Sequence, residues 1–325
     1  MAKFTVMTWN VQNLFLPTAE DGGPDTQTAF DQKLASLAAV IDAIKPHVLG
    51  LQEVGPNGAL AALQAELTHA MPHSVEGEPD SRGIRVAFLS RRVLQDVRNI
   101  RPFPAGLLPI QSGDDPQGPE GPPMMNQMGR GGLDITVRGG NRDIHVLTTH
   151  MKSKLLTFPG GFQPADENER ARYGSYALFR RSTEATTLRA LLNDLLDGDG
   201  RNKAVILTGD MNDEVEAATT QILNGPKGSE IGTIGFDRQD QGDGDRMWNL
   251  APLIPESERS TRVHRGRPEM IDHIFASQLL CNPNNQPDVS TTREPDPLPS
   301  MTDDPGIRRN QPGSDHAAVV ATFEV

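Results

Sequence analysis

The stretch VILTGDMND (205–213) changes from apolar to polar within a few residues. Its first half is typical of a buried strand, and its second half places Asp210, Asn212 and Asp213 soon after Gly209. On its own this ending predicts a turn, because Asp, Asn and Gly are all favoured in turns. Whether these polar residues also have a catalytic or metal-binding role depends on the segments around them.

The same order of elements surrounds this strand and recurs near the N-terminus. A helix is predicted at 181–198, where leucines recur at helical spacing, and a strand is predicted before it at 143–150. In the first fifty residues, segments 4–11, 30–46 and 47–54 again indicate strand, helix and strand. Two such halves predict two sheets of similar build with helices outside, which is a layered sandwich. We therefore expect the strand ends of both halves to converge on one site.

Further strands and long loops complete the predicted organisation. The strands are GIRVAFLSR (83–91), LDITVRG (133–139), MIDHIFAS (270–277) and DHAAVVATFEV (315–325). Three long segments, near 101–132, 155–174 and 282–313, have the composition of loops. Loops of this length are usually functional lids or mobile segments, and none of the three has the composition of a linker between two cores. We therefore expect a single domain over residues 1–325 with long loop insertions.

Bulk composition narrows the class of protein. Hydrophobic residues make up 36% of the chain and charged residues 23%, as in a soluble globular protein. The net charge of -12 argues against a surface that coats polyanions generally, but it does not exclude a locally basic cleft. The single cysteine, Cys281, excludes an intramolecular disulfide and a cysteine-based zinc site.

The chain carries no sequence signal for a membrane or for export. There is no run of about 18 apolar residues, so no transmembrane helix is predicted. The N-terminal MAKFTVMTWNV lacks the long apolar segment of a signal peptide. We expect a cytoplasmic monomer, while secretion after removal of a signal peptide stays open.

Polar side chains lie at the ends of the predicted strands in both halves. They comprise carboxylates, amides and imidazoles, the groups that hold hard cations and move protons. Each one alone fits a turn or a helix cap, but their number and matched placement point to one site. These residues are Asn10, Glu53, His150, Asp210, Asn212, Asp272, Asp315 and His316.

Six motifs built on these residues resemble the endonuclease/exonuclease/phosphatase superfamily. They occur in the family's order: TWNVQNL, LQEV, TTHMKSK, LTGDMND, IDHIF and SDHAAV. The resemblance implies an α+β fold, a four-layer sandwich in which two mainly antiparallel sheets pack together and helices flank them. It also implies a metal-dependent phosphoesterase that hydrolyses its substrate by in-line attack of water. TTHMKSK is further similar to a motif of some bacterial extracellular nucleases.

The resemblance assigns a metal ion and a general base to these residues. Glu53 is expected to be the principal Mg²⁺ ligand, with Asn10 beside it and Asp315 closing the site from the other half. Ligands that are all oxygen suit Mg²⁺ or Mn²⁺ and argue against zinc. Asp210 is expected to orient and deprotonate the attacking water, and Asn212 to donate its amide to a phosphoryl oxygen.

Two histidines are assigned to the phosphate by the same resemblance. His316, oriented by Asp272, is expected to bind the scissile phosphate or to transfer a proton. His150 corresponds to a second histidine that contacts phosphate, or to the acid that protonates the leaving group. One departure is Gln12, which occupies a place that is aspartate in AP endonucleases and often contributes to their metal site.

Basic residues flank the predicted site. Arg130 resembles an arginine that contacts substrate phosphate in the deoxyribonuclease branch. Lys152 and Lys154, two apart after the TTH segment, are candidates to share one face near the site, and Arg262 precedes Asp272. Each of these residues can equally be a solvated surface charge, but as a group they lie where a polyanionic substrate needs them.

The sequence favours one function over two alternatives. The favoured function is a Mg²⁺-dependent nuclease or nucleic-acid phosphodiesterase, endonuclease-like, with DNA as the favoured substrate. The acidic net charge modestly favours a phosphatase or phosphodiesterase for a small phosphorylated metabolite or lipid headgroup. A non-catalytic binding protein of the same fold is the third reading, although none of the core motif residues is missing.

Overall fold

The computed structural model describes residues 2–17, 22–56, 58–105, 126–154, 156, 166–228, 230–302, 304 and 306–325. The helices are α1 (Gln27–Ile44), α2 (Ala59–Glu66), α3 (Glu167–Leu196) and α4 (Ala218–Asn224). The strands are β1 (Lys3–Leu14), β2 (Val48–Val54), β3 (His73–Glu76), β4 (Arg85–Ser90), β5 (Gln95–Pro102), β6 (Gln127–Gly139), β7 (Arg142–His150), β8 (Ala204–Asp210), β9 (Met247–Asn249), β10 (Arg262–His264), β11 (Arg267–Glu269), β12 (Asp272–Ser277), β13 (Asp288–Thr292), β14 (Ser300–Met301) and β15 (Ala318–Glu324).

Two six-stranded sheets form the centre of the molecule, with orders β13-β15-β1-β2-β4-β3 and β5-β6-β7-β8-β12-β9. Each sheet contains one parallel pair, β1–β2 and β7–β8, and its other neighbouring strands are antiparallel. A helix joins the strands of each parallel pair, α1 in one sheet and α3 in the other. The structure thus confirms the two mainly antiparallel sheets and the repeated strand–helix–strand order. A small third sheet, β11-β10-β14, lies beside them.

Three apolar clusters define the layers. The central cluster joins the two sheets, for example through Phe4 and Phe88 of one sheet and Ile144 and Ile206 of the other. A second cluster packs α1 and α2 against the outer face of the first sheet. The third packs α3 and α4 against the outer face of the second sheet. The order is therefore helices, sheet, sheet, helices, as predicted.

The row of side chains that faces the other sheet changes from apolar to polar along each central strand. In β8 it runs Ala204, Ile206, Thr208, Asp210, and all four are buried. The same change occurs along β7, whose row ends on His150, and along β1, whose row reaches Asn10. The strand ends therefore place polar groups at one end of the space between the sheets.

The elements begin or end differently from the prediction in all three long loops. β6 starts at Gln127, inside the predicted loop 101–132, because its glycine-rich start pairs with β5 and β7. Helix α3 starts at Glu167, inside 155–174, and its first turns are largely exposed, so they lack the apolar stripe that reveals a helix. β13 and β14 lie inside 282–313. The parts of these loops at 106–125 and 157–165 are outside the described residues.

Across the described ranges, the helices are too short or too polar to cross a membrane.

Candidate active site

A cleft of about 440 Å³ opens where the polar rows of the two sheets end. It contains the predicted residues from both halves of the chain: Asn10, Glu53, Arg130, His150, Lys154, Asp210, Asn212, Arg262, Asp315 and His316. Asp272 lies directly beneath it, fully buried. The structure therefore brings together residues more than 300 positions apart, which is the convergence that the strand ends predicted.

Asp210 connects the two sheets at the floor of the cleft. Its Oδ2 accepts a hydrogen bond from Asn10 Nδ2 at 3.0 Å and lies 3.3 Å from His150 Nε2. Its Oδ1 accepts the backbone N–H of Asn212 at 2.9 Å. Burial, followed by the neighbouring Asp272 carboxylate, raises the pKa of Asp210 to about 7. A carboxylate with such a pKa suits a general base, since it can both accept and release a proton near neutral pH.

The Asp272–His316 pair lies beside this carboxylate. Asp272 is the register partner of Asp210 on the adjacent strand, so their side chains share one face of the sheet. His316 Nδ1 lies 2.7 Å from Asp272 Oδ2, and both residues are buried. Burial disfavours the charged imidazole, but the Asp272 carboxylate, with smaller contributions from Asp315 and Asp210, outweighs it, and the pKa of His316 rises to about 10. The raised pKa favours the imidazolium form of His316 at neutral pH.

Backbone contacts fix His316 from both sides. Its carbonyl accepts a hydrogen bond from Trp9 Nε1 at 2.8 Å, and its N–H donates to Ser314 Oγ at 3.0 Å. An isolated bridge pairs it with Arg262 of β10. The imidazolium is thus held at a set position by the first sheet and by the small third sheet.

Glu53 faces the cleft because the backbone departs from strand geometry. Its φ is 63°, in the left-handed region, and the β2–β4 register shifts between Leu51 and Val54. Glu53 Oε2 accepts the N–H of Asn13 at 3.0 Å, and Oε1 lies 3.7 Å from Arg130 Nη1. Burial raises the pKa of this carboxyl, but the positive charges of Arg130 and His316 outweigh it and lower the pKa. Glu53 is therefore a carboxylate.

Gln12 occupies the place of an aspartate that often binds metal in AP endonucleases, but here its side chain holds the backbone of another residue. Its Oε1 accepts the backbone N–H of Asp315 at 3.1 Å and also the Nε–H of Arg308 at 3.3 Å. The oxygen that a metal ion would use is thus engaged in holding the Asp315 backbone. Gln12 therefore positions the predicted ligand Asp315.

Left-handed backbone is concentrated around the cleft. Of the eight non-glycine residues with positive φ in the described ranges, four belong to it: Gln12, Asn13, Glu53 and Asn212. Such conformations cost free energy and persist where the surrounding structure enforces them, which is frequent at functional sites.

Two neighbouring groups of side chains are candidate metal sites. One is the Asp–Asp–His trio, Asp210, Asp272 and His316, whose ligand atoms lie within 4.8 Å of one another. The other is the oxygen set predicted from the sequence, Asn10, Glu53 and Asp315, all of which line the cleft. In the trio, Asp272 Oδ1 is buried and has no hydrogen-bond partner in the part of the chain that the structure describes.

The ligand atoms of the two groups decide which group is the better site for Mg²⁺. The oxygen set offers two carboxylates and the amide oxygen of Asn10, which suit Mg²⁺ or Mn²⁺. Asn10 Oδ1 accepts one hydrogen bond, from the backbone N–H of Gln12 at 3.0 Å, and so keeps a second lone pair, whereas Gln12 Oε1 accepts two. The trio includes an imidazole that holds a proton in the metal-free protein, so an ion there has to displace that proton. The residues present fit Mg²⁺ better at the oxygen set.

His150 is neutral in this environment. It is buried, and burial together with the positive charge of Arg130 holds its pKa well below the usual range. The Arg130 guanidinium contacts both ring nitrogens, with Nη1 3.0 Å from Nδ1. A neutral imidazole can donate a hydrogen bond to a phosphate oxygen, but it cannot supply a proton as readily as an imidazolium.

The remaining predicted residues differ in where they lie. Lys154 lines the cleft, and its Nζ is 3.4 Å from Asp213 Oδ1. Lys152 is outside the described lining, and its Nζ donates to the carbonyl and hydroxyl oxygens of Ser153 at 3.3 Å. The extended strand ends at His150, so the strand alternation from which a shared face was predicted does not continue to the two lysines.

Some lining residues were not predicted. Asn13 lies within the first motif, TWNVQNL, and its N–H holds Glu53, so its place in that motif was the available signal. Met301 belongs to β14, in a segment whose composition predicted a loop, and its sequence gave no signal.

The sequence profile described as the Endonuclease/Exonuclease/phosphatase family matches residues 7–316. A search of curated protein sequences returned no match. Among solved structures, TDP2 of D. rerio complexed with a single-strand DNA product is similar, with 17% identity, a TM-score of 0.55 and full coverage of both chains.

Two other similar structures have comparable scores. The catalytic domain of human Nocturnin with a bound sulfate anion has 16% identity and a TM-score of 0.55, covering 99% of this chain and 94% of that one. An endonuclease/exonuclease/phosphatase from Beutenbergia cavernae has 18% identity and a TM-score of 0.52, covering 100% and 72%. At these identities the likeness shows the fold, whereas the sequence profile spans nearly the whole chain and shows the family. The chain belongs to the endonuclease/exonuclease/phosphatase family, and it is a phosphoesterase of that family.

Proposed function

We propose that the protein is a Mg²⁺-dependent phosphodiesterase that cleaves nucleic acid, with DNA as the favoured substrate. The observation that carries this proposal is the pair of opposite charges in the cleft. A carboxylate with a pKa near neutrality, Asp210, lies beside the buried imidazolium of His316. One can accept the proton of a water molecule while the other stabilises the phosphate oxygens that gain charge.

Each side chain then has a task in hydrolysis. Asp210 orients the attacking water and accepts its proton, and the Asn10 amide keeps this carboxylate in place. His316 binds a phosphate oxygen, while Asn212 donates an amide hydrogen to another. Asn10, Glu53 and Asp315 would hold a Mg²⁺ ion, which would supply further positive charge to the phosphate and the leaving oxygen. Because burial and Arg130 keep His150 neutral, a phosphate contact is favoured over its role as the leaving-group acid.

Positive side chains around the cleft support a polyanionic substrate. Arg130, Lys154, Arg170 and Arg262 line it in a protein whose net charge is -12. These side chains offer cationic contacts to phosphate groups beside the carboxylates of the cleft, and a bound Mg²⁺ ion would add positive charge there. The D. rerio TDP2 structure holds a single-strand DNA product, which supports DNA as the substrate to test first.

A small phosphoester is the second candidate. The cleft volume of about 440 Å³ falls within the usual range of small-molecule sites. The acidic net charge opposes long-range approach of a polyanion more than that of a small phosphodiester, which carries a single negative charge.

The test is a substrate panel with the wild-type protein in Mg²⁺, in Mn²⁺ and in EDTA. The panel contains single- and double-stranded DNA, RNA, bis(p-nitrophenyl) phosphate and a phosphomonoester. We expect cleavage of DNA in either metal and none in EDTA. Turnover of small phosphoesters without cleavage of any nucleic acid would select the second candidate. Activity that persists undiminished in EDTA would contradict the metal dependence.

A further inference from the structure

Side chains of α3 replace the sheet's hydrogen bonds where the backbone leaves β7. The ladder between β7 and β8 ends at the pair His150 and Asp210. Two residues later, Lys152 donates its backbone N–H to Glu184 Oε2 at 2.6 Å, and its carbonyl accepts from Arg181 Nη1 at 3.2 Å. Buried backbone groups need partners, so these two side chains of α3 fix a segment that the sheet no longer fixes.

Glu184 is an unusual residue for this position because its carboxylate is almost fully buried, with 1% of its surface exposed. Besides the Lys152 N–H, it accepts the backbone N–H of Gly129 at Oε1, at 3.1 Å. Arg180 Nε lies 3.5 Å from the same oxygen. Burying a carboxylate is costly unless it is paired and hydrogen-bonded, and these donors meet that need.

The peptide group that Glu184 binds also holds Asn212. The peptide between Met151 and Lys152 donates its N–H to Glu184, and its carbonyl oxygen, that of Met151, accepts a hydrogen bond from Asn212 Nδ2 at 3.0 Å. The peptide is planar, so fixing its N–H fixes the direction of its carbonyl. A carboxylate on the N–H also polarises the peptide and strengthens its carbonyl as an acceptor.

We infer that Glu184 is a positioning residue, which sets the orientation of the Asn212 side-chain amide through the peptide group 151–152. Asn212 lines the cleft, whereas Glu184 lies behind it on α3. With one amide hydrogen held by Met151, the amide plane of Asn212 is fixed and its second hydrogen is presented for a phosphoryl oxygen. The catalytic part of this inference rests on the proposed function; the structural part does not.

The test compares two variants of Glu184 with a matched control on the same helix. Glu184→Ala removes both acceptors, and Glu184→Gln keeps the volume but replaces one acceptor oxygen with a donor. The control is Thr187→Ala, one turn further along α3. Thr187 is also buried, and its hydroxyl donates to the Thr183 carbonyl within the helix. Thermal unfolding identifies any variant that has lost the fold.

The first readout needs no activity. The side-chain amide signals of Asn212 are assigned by their loss in Asn212→Asp. We expect both Glu184 variants to shift or broaden these signals and Thr187→Ala to leave them in place. Unchanged Asn212 signals in a folded Glu184 variant would overturn the inference, whatever the enzyme's substrate is.

The second readout is a double-mutant cycle with Asn212→Ala, on a phosphodiester that the wild type hydrolyses. We expect Glu184→Ala to lower kcat by roughly 10- to 100-fold with little change in KM, because misplacement of a catalytic group by about 1 Å has effects of this size. In the Asn212→Ala background the same change should cost less than about 3-fold. An equal loss in both backgrounds would overturn the route through Asn212. Absence of hydrolysis by the wild type would instead refute the proposed function and leave the amide signals to decide the inference.

Discussion

The Asp272–His316 pair gives the sharpest prediction, for the variant Asp272→Asn. In the wild type the carboxylate holds the imidazolium at 2.7 Å and raises the pKa of His316 to about 10. Asparagine keeps the shape but removes the charge, so burial then acts without its main counterweight. The pKa of His316 should fall to its ordinary value of 6.5 or lower.

This change has a calculable effect on protonation. At pH 7.5 the wild-type imidazole is almost entirely protonated, whereas a pKa of 6.5 leaves only about one molecule in ten protonated. If the imidazolium binds the phosphate, kcat should fall by about 10-fold or more, and part of it should return as the pH is lowered towards 6. Removing the Asp272 charge also removes one cause of the raised pKa of Asp210. The pKa of Asp210 should therefore fall, which makes this carboxylate a weaker base and lowers kcat further.

The assay is the titration of the His316 ring by nuclear magnetic resonance in EDTA, together with the pH profile of hydrolysis. Because the folded pKa of His316 is raised, the pair stabilises the fold fully below about pH 6.5, and this contribution is lost as the pH rises towards 10. The free energy of unfolding should therefore fall more over this range in the wild type than in Asp272→Asn. A wild-type ring that titrates near 6.5, or a variant ring still protonated above pH 9, would refute the reasoning.

Three further predictions follow from the contacts around the cleft. Arg181→Met breaks the buried ion pair in which Arg181 Nε lies 2.9 Å from Asp213 Oδ2. The free energy of unfolding, measured by urea denaturation, should fall by about 3 kcal/mol. An unchanged free energy of unfolding would contradict a stabilising role for this pair. Gly50→Ala places a Cβ 2.8 Å from Thr148 Oγ1 of the opposite sheet, so overpacking should cost about 1–3 kcal/mol in the same assay, and a neutral result would show that the sheets can move apart there. Anomalous diffraction from Mn²⁺-soaked crystals should place the ion at the oxygen set, and an ion held only by the Asp–Asp–His trio would reverse that assignment.

Much of the fold follows from periodicity and from the order of elements. The strands that carry the site, and the α1 and α3 crossovers between parallel pairs, correspond to apolar runs with strong patterns. The first turns of α3 could not be predicted in this way, because a largely exposed helical segment has no apolar stripe. The short strands β10, β11 and β14 contain two or three residues each, too few to show a period.

The site was predictable in its members but not in its geometry. A regular strand would place Gln52 towards the other sheet and turn Glu53 away from it. The left-handed backbone at Glu53 breaks this alternation, and sequence patterns do not show such a break. Asp210 and Asn212 are two residues apart, and an extended chain would place both side chains on one face. Both do line the cleft, but β8 ends at Asp210, and a positive φ at Asn212 brings its side chain there.

The contacts between side chains of α3 and the backbone next to the cleft have no sequence signal. Glu184 and Arg181 lie on a helix that a pattern identifies, yet the backbone groups that they bind are more than 25 positions away. Such partners become evident only when the sheet and helix are assembled.

The most direct measurement of the central claim is the rate of Mg²⁺-dependent cleavage of single-stranded DNA by the wild type and by His316→Ala. Thr187→Ala serves as the control for substitution of a buried side chain. We predict that the wild type and the control cleave the strand in Mg²⁺ and not in EDTA, and that His316→Ala loses at least about 100-fold in kcat, the size expected when a phosphate-stabilising donor is removed. Cleavage by folded His316→Ala at the wild-type rate would contradict the assignment of this cleft as the active site.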